Sequence, residues 1–208
     1  LLSVFQQFVG INVIFYYSTT LWRSVGFDES DALLTSVITS VTNIAVTIVA
    51  ILIIDKVGRR LMLLVGSAVM AVSLGTMALA FSFATLNADG EAVLEAPWST
   101  IALVAANLFV VGFGATWGPV VWVLLGEMFP NRIRAGALAV AAAAQWLANF
   151  VISTTFPIFA EIGLTFAYGF YAAFATLSFV FVLWRVPETK GVELEDMPEE
   201  LEVRKRRA

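Results

Sequence analysis

The chain of 208 residues contains neither cysteine nor histidine. Without cysteine it has no disulfide, no thiolate metal ligand and no nucleophilic thiol. Without histidine it lacks the side chain that most often acts as a general base or binds a metal ion. We therefore expect no metal site, no cofactor and no enzyme activity.

Charged residues are also scarce. They make up 13% of the chain, whereas 60% of the residues are hydrophobic and the mean hydropathy is +0.88. Soluble domains contain about 25% charged residues and about 45–50% apolar ones. The charges that do occur cluster between long apolar stretches. This composition is typical of a membrane protein.

Six apolar stretches reach the length of about 20 residues that a membrane-spanning helix needs. They are residues 1–22, 31–54, 61–86, 98–126, 133–157 and 165–184. In lipid, backbone amides must pair within their own segment, so helices are expected. The sequence predicts an all-α membrane protein, a six-transmembrane-helix bundle over 1–186 with a charged tail at 187–208. Because the chain starts without methionine inside an apolar stretch, we expect a fragment or a separated half.

Lysine and arginine lie almost entirely on one side of the predicted bundle. Eleven of the twelve occur at 55–60, at 127–134 and from 185 onward, and Arg23 is the exception. In membrane proteins, cytoplasmic loops carry the excess of these residues. We therefore expect a multi-pass protein of the cell membrane with both ends of this chain in the cytoplasm.

The predicted spans contain uncharged hydrogen-bonding side chains and almost no charged ones. These polar residues are Gln6, Gln7, Asn12, Tyr16, Asn43, Asn107, Gln145 and Asn149, accompanied by Trp117, Trp122 and Trp146. An unpaired amide in hydrocarbon costs roughly 2–7 kcal/mol, so these groups must face one another, a water-filled cavity or a ligand. Hydrogen bonding between helices is one interpretation, at only about 0.6 kcal/mol per bond. The number of amides beside tryptophans favours a site for a polar, uncharged ligand.

Glycine and proline interrupt two of these polar segments. On a straight helix Gln6 and Asn12 would point about 120° apart. Gly10 lies between them and allows a bend that lets them converge. Pro119 is expected to kink the fourth span and to form a hinge. Transporter sites are commonly built on such interrupted helices.

The chemistry of these side chains suits a sugar. Each sugar hydroxyl is both a donor and an acceptor, and amides pair with it in both senses. An ion site would call for carboxylates or clustered carbonyl groups, and an organic anion would call for arginine or lysine within the spans. The sequence offers neither, so it predicts a neutral polyol.

Four motifs resemble those of a known family. They are "QQFVGIN" with "YY" at 6–17, "DKVGRR" at 55–60, "GPVVW" followed by "GEMFPNRIR" at 118–134, and "PETKG" at 187–191. On these motifs the chain resembles the C-terminal half, helices seven to twelve, of the sugar porters in the major facilitator superfamily. Its sequence at 129–150 resembles that of bacterial proton-linked xylose and glucose carriers. The resemblance implies one half of a twelve-helix fold.

The resemblance also implies which residues bind the sugar. They are Gln6, Gln7, Asn12, Tyr16, Asn43, Trp122, Gln145, Trp146 and Asn149. Tyr16 resembles an aromatic residue that closes over the sugar from outside, and Trp122 a tryptophan beneath it. Gly114 is a departure, since some animal relatives carry a glutamate there. This difference favours the bacterial branch.

A conformational latch at the cytoplasmic face is implied in the same way. Its members are Asp55, Arg59, Arg60, Glu127, Arg134 and Glu188. The adjacent arginines are expected to pair with the two glutamates, and Arg134 with Asp55 or a helix end. In the family such pairs hold the outward-facing state. The alternative is a set of weak surface ion pairs of about 0–1 kcal/mol each.

These observations and the resemblance together predict transport of a hexose or pentose by alternating access. The implied partners are the monosaccharide, membrane lipids and a missing N-terminal six-helix half, with no nucleic acid. Proton symport is favoured by the resemblance alone. A proton symporter needs a titratable group within the membrane, and the predicted spans offer none. The coupling residue would therefore lie in the other half. Facilitated diffusion and a non-transporting membrane scaffold are the alternatives.

Overall fold

The computed structural model describes residues 1–24, 26–86 and 92–191. Within these ranges the helices are α1 (Leu2–Phe8), α2 (Ile11–Tyr16), α3 (Ser18–Ser24), α4 (Glu29–Val57), α5 (Arg59–Phe81), α6 (Trp98–Gly114), α7 (Trp117–Met128), α8 (Asn131–Ile162) and α9 (Leu164–Arg185). A short antiparallel hairpin of β1 (Thr85–Leu86) and β2 (Ala92–Val93) lies between α5 and α6. The predicted tail lies outside the described residues from 192 onward.

Five stretches of helix in the described ranges are long and apolar enough to cross a membrane. They are α4, α5, α6 together with α7, α8 and α9. The first predicted span, residues 1–22, is divided among α1, α2 and α3. The architecture is the predicted all-α bundle, with its first and fourth spans interrupted.

Gly10 interrupts the first span, as the sequence predicts. Its φ of 82° and ψ of 19° place it in the left-handed region, which glycine adopts far more readily than other residues. The Gly10 N–H donates to the Gln7 carbonyl at 2.9 Å, and the Gly10 carbonyl accepts from Ile14 at 3.2 Å. Tyr171 of α9 packs against this turn, because a β-carbon added at Gly10 would lie 2.8 Å from its ring. Packing and backbone conformation therefore both require glycine here.

The fourth span breaks between α6 and α7, slightly before the predicted kink. Thr116 has φ −137° and ψ −86°, outside the helical region. Pro119 lies in the first turn of α7, where its missing N–H interrupts no helical hydrogen bond. The kink expected at Pro119 is therefore found at residues 115–116, and the proline begins the new helix.

A second proline lies inside α8, and that helix continues past it. Pro157 has no N–H to donate to the carbonyl of Ser153, and the Tyr17 hydroxyl donates to that carbonyl at 3.4 Å. The Tyr17 ring also packs on Phe156, with ring centroids 4.5 Å apart. The span expected to end near 157 therefore extends to Ile162, supported by a side chain from the interrupted first span.

The spans differ in how much of their surface the bundle covers. In the most apolar stretch of each span, 61% of the residues are buried in α6–α7 and 44% in α5, but only 17% in α4 and 17% in α8. Large exposed apolar side chains include Ile44, Ile48 and Leu52 on α4, and Val140, Leu147 and Phe150 on α8. The helices α4 and α8 therefore present broad apolar faces that this chain leaves open.

Gly10→Ala should destabilise the bundle, because alanine is strained at φ +82° and its β-carbon would clash with Tyr171. We expect the free energy of unfolding to fall by about 1–3 kcal/mol. Gly169→Ala is the matched control, since a β-carbon at Gly169 inside α9 meets nothing within 4 Å. Thermal unfolding in detergent micelles measures both variants. Equal unfolding temperatures for the two variants would contradict the role of this turn.

Candidate functional site

Three of the predicted amides form a hydrogen-bonded cluster. Asn12 in α2 donates from Nδ2 to Oε1 of Gln7 in α1 at 2.6 Å and to Oδ1 of Asn149 in α8 at 2.9 Å. Ser153, one turn further along α8, donates to the same Asn149 oxygen at 3.2 Å. Residues five apart on a straight helix point about 140° away from each other. The contact between Gln7 and Asn12 therefore depends on the turn at Gly10.

Gln6 contacts a different element. Its Nε2 donates to the carbonyl groups of Trp117 at 2.8 Å and Gly118 at 3.2 Å, in the first turn of α7. The side chain is buried, and Oε1 has no hydrogen-bond partner in the described part of the chain. The sequence predicts that the bend brings Gln6 to Asn12, but it brings Gln7 to Asn12 while Gln6 bonds to α7.

Asn43 in α4 lies beside the interruption of the fourth span. Its Oδ1 occupies the space in which a side chain at Gly114 would begin, and that oxygen is buried without a partner among the described residues. The Thr47 hydroxyl donates to the Gly114 carbonyl at 3.2 Å and holds α4 against the end of α6. A larger residue at 114 would displace Asn43, so the glycine that departs from the animal pattern admits this amide.

Gln145 is half-buried, and the three aromatic candidates lie in more open positions. The Gln145 Oε1 atom is buried and has no partner in the described ranges. Tyr16, Trp122 and Trp146 are 59%, 37% and 66% exposed. Their rings lie on surfaces that this chain leaves open, and are not packed around the amide cluster.

Two other polar residues of the spans, Asn107 and Trp117, form hydrogen bonds within the bundle. Asn107 accepts from the Thr39 hydroxyl at 3.3 Å and donates within its own helix. Trp117 is fully buried and donates from Nε1 to the Leu63 carbonyl and to Oγ of Ser67, each at 3.0 Å. Both side chains are paired inside the protein, as the interpretation of hydrogen bonding between helices predicts.

Three of the site amides differ from these residues in the pairing of their oxygen atoms. Among the described residues, the amide oxygens of Gln6, Asn43 and Gln145 are buried and unpaired. A buried polar group without a partner costs roughly 1–3 kcal/mol. A ligand that brings hydroxyl hydrogens would pair these oxygens, whereas an anion would be repelled by their partial negative charge.

A group of charged residues lies where the ends of α4, α5 and α7 meet. Arg59 forms a two-point ion pair with Glu127, with Nε 3.0 Å from Oε2 and Nη2 2.6 Å from Oε1. The same Nη2 lies 2.7 Å from Oδ1 of Asp55. Because only 9% of the Arg59 side chain is exposed, this pair is better shielded from water than a surface ion pair.

Within the described ranges, Glu188 binds the backbone of this charged group and no arginine side chain. Its carboxylate accepts from the N–H groups of Arg59 at 2.9 Å and Arg60 at 3.1 Å, and so caps the amino terminus of α5. The Arg60 guanidinium, expected to pair with a glutamate, donates to the Leu183 carbonyl at 2.7 Å. Unpaired N–H groups and the positive end of a helix attract a carboxylate, which explains the difference.

The neighbours of Glu188 extend this contact, although the predicted latch did not include them. Thr189 is buried and donates its hydroxyl to Oε2 of Glu127 at 2.6 Å. Lys190 donates from Nζ to the Lys56 carbonyl, at the end of α4, at 2.6 Å. The segment 187–191 therefore binds the ends of α4, α5 and α7 together.

Arg134 takes the second of its two predicted partners, a helix end. Its Nε donates to the Phe129 carbonyl at 3.2 Å, where α7 ends. Asp55 is bound by Arg59 instead. Arg134 therefore holds the connection between α7 and α8.

Nearly the whole chain is similar to known membrane transporters. Residues 1–201 match the family model described as sugar (and other) transporter. The chain is 56% identical over 197 residues to the glucose transport protein of Synechocystis sp. (strain ATCC 27184 / PCC 6803 / Kazusa), covering 94% of this chain and 42% of that protein. It is 40% identical over 204 residues to the D-xylose-proton symporter of Escherichia coli (strain K12), covering 95% and 39%. The chain thus spans about two fifths of the length of these curated relatives.

The fold is similar to solved structures of the proton:xylose symporter XylE. With XylE bound to 6-bromo-6-deoxy-D-glucose the TM-score is 0.82 at 39% identity, covering 96% of this chain and 41% of that one. With the inward-open conformation of XylE from E. coli the TM-score is 0.76 at 38% identity, covering 96% and 40%. The described helices therefore match one half of that transporter fold.

Proposed function

The chain belongs to the sugar (and other) transporter family, and on that premise we propose that it is the C-terminal half of a twelve-helix transporter for a monosaccharide. The two six-helix halves would move around a site near the membrane midplane, opening it to each side in turn. On this proposal the protein is a carrier and not an enzyme.

The uncharged amide set carries this proposal. Gln7, Asn12 and Asn149 form one cluster from three helices, and the buried, unpaired amide oxygens lie on α1, α4 and α8. Sugar hydroxyls both donate to and accept from amides, so they match this set. We propose that Gln6, Asn43 and Gln145 contribute their oxygen atoms to the same ligand.

The names of the relatives support a hexose or a pentose as the substrate. One relative is a glucose transport protein and another a D-xylose-proton symporter. The similar structure of XylE contains a substituted deoxyglucose. D-Glucose and D-xylose are therefore the first substrates to test.

A second six-helix half would cover the open faces of α4 and α8. These two helices are the least covered of the long spans, and the chain matches about two fifths of each relative. The open rings of Tyr16, Trp122 and Trp146 would then line the space between the halves, beside the sugar. Membrane lipids would cover the remaining outer faces.

We propose that the pair of Arg59 and Glu127, with its neighbours, is the latch of the outward-facing state. It joins the start of α5 to the end of α7 through a buried charge. Asp55, Thr189 and Glu188 hold the two sides of the pair in place.

The latch end of the bundle is proposed to face the cytoplasm, and with it both ends of this chain. The described lysines and arginines near this end are Lys56, Arg59, Arg60, Arg132, Arg134, Arg185 and Lys190. An excess of such residues is typical of cytoplasmic loops. The proposed location is the cell membrane.

Proton symport is the proposed mode of energy coupling, by similarity to the symporter. A proton-coupled carrier needs a titratable group within the membrane. The site amides do not titrate, so the coupling group is proposed to lie in the other half.

Glu127→Ala should shift the carrier toward the inward-facing state, because the buried charge of Arg59 loses its partner on α7. The measurement uses the full-length protein with the substitution Tyr16→Cys. An impermeant maleimide added from outside labels this cysteine when the carrier is open outward. We expect labelling from outside to slow by at least about twofold. Glu161→Ala, which removes an exposed carboxylate at the far end of α8, is the control. Unchanged labelling in Glu127→Ala would remove the basis for the latch.

The full-length protein in liposomes should take up labelled D-glucose or D-xylose, whereas residues 1–208 alone should not. Under an imposed proton gradient the sugar should accumulate, and a protonophore should reduce accumulation to equilibration. If the protonophore does not change sugar uptake, the result would support facilitated diffusion instead. Absence of uptake of either sugar would contradict the proposed function.

A further inference from the structure

A continuous chain of hydrogen bonds lies buried between α5, α7 and α9. The indole Nε1 of Trp117 lies 3.0 Å from Oγ of Ser67, and that oxygen lies 2.9 Å from Oγ of Ser178. The Ser178 hydroxyl in turn donates to the Ala175 carbonyl at 2.7 Å. The side chains of Trp117, Ser67 and Ser178 are fully buried, so these bonds are shielded from water.

The direction of every bond in this chain follows from the groups at its two ends. An indole N–H only donates, and a carbonyl oxygen only accepts. Trp117 therefore donates to Ser67, and the single hydroxyl hydrogen of Ser178 goes to Ala175. The hydrogen between the two serine oxygens is then that of Ser67. The bonds run in one sense from α7 through α5 to α9, an arrangement in which neighbouring bonds strengthen one another.

The tryptophan at the start of this chain also holds Gln6. The Trp117 carbonyl accepts from Nε2 of Gln6 at 2.8 Å, while the Trp117 indole bonds to Ser67 and, at 3.0 Å, to the Leu63 carbonyl. Thr116 interrupts the helix just before this turn, so continuity with α6 alone does not fix its position. The indole bonds to α5 therefore help to fix the carbonyl that Gln6 reaches.

We propose that Ser67 and Ser178 are positioning residues of the ligand site, which act on Gln6 through Trp117. Ser67 lies on α5 and Ser178 on α9, two helices that carry none of the predicted sugar-binding residues. The inference rests on the proposed sugar transport and adds two residues behind the site that set its affinity without touching the sugar. Loss of the Ser67 hydroxyl would loosen the first turn of α7 and, with it, the Gln6 amide.

Ser67→Ala tests the proposal in the full-length protein, with Ser73→Ala as the matched control. Both serines are buried in α5, but the Ser73 hydroxyl has no hydrogen-bond partner among the described residues. Dissociation constants are measured by competition with the labelled sugar, D-glucose or D-xylose, that the wild-type protein binds. Ser67→Ala should bind this sugar roughly fivefold more weakly than the wild type, and Ser73→Ala should differ from it by less than about twofold.

Two double variants distinguish positioning from a general loss of stability. In the background of Gln6→Met, Ser67→Ala should weaken binding by less than about twofold, because the amide through which it acts is absent. Adding Ser178→Ala to Ser67→Ala should also cause less than about twofold further loss, since Ser178 acts only through Ser67. A residue that only stabilised the bundle would weaken binding by the same factor in each background.

Three results would overturn the inference while sugar binding to the wild-type protein stays intact. Ser67→Ala could bind the sugar as tightly as the wild type, Ser73→Ala could show the same loss, or the full loss could persist with Gln6→Met. If Ser67→Ala does not fold, Ser178→Ala takes its place with an expected loss of roughly threefold. If binding to Gln6→Met is too weak to measure, the comparison of Ser67→Ala with Ser73→Ala decides. Failure of the proposed function is distinct, because then neither D-glucose nor D-xylose would bind the wild-type protein.

Discussion

The hydrogen bonds from the Gln6 side chain to the carbonyl groups of Trp117 and Gly118 join the two interrupted spans, and the site depends on them. Inside a bilayer, backbone groups near a helix break must find partners within the protein. Gly10 breaks the first span, and residues 115–116 break the fourth. Gln6 lies just before the first break, and its amide binds the backbone just after the second. Polar side chains and helix breaks are therefore parts of one arrangement.

Helix α7 connects this contact with the charged end of the bundle. Trp117 begins the helix, and Glu127 lies ten residues further on, about 15 Å along its axis. A shift of the first turn on ligand binding would therefore also move the carboxylate that Arg59 holds. On the opposite side of that ion pair, Glu188 fixes the start of α5, and Thr189 binds Glu127 directly. The proposed ligand site and the proposed latch are thus linked through one short helix.

Features with local causes could be predicted from the sequence, whereas long-range pairing could not. The bend at Gly10 was predictable because glycine tolerates a conformation that other residues rarely adopt. Gln6 and Gln7 look equivalent in the sequence, but their partners lie on α7 in one case and on α2 in the other. Glu188 was expected to bind an arginine side chain and caps α5 instead, because no sequence pattern reports which N–H groups a distant carboxylate reaches.

The affinity of Gln7→Ala for D-glucose tests most directly the central claim that the amide cluster binds the sugar. Tryptophan fluorescence of the full-length protein reports binding, and Asn107→Ala is the matched control because its amide is paired inside the bundle. We expect saturable quenching in the wild-type protein and at least about tenfold weaker binding in Gln7→Ala. Asn107→Ala should differ from the wild type by less than about twofold. Equal affinities of all three proteins would contradict the account.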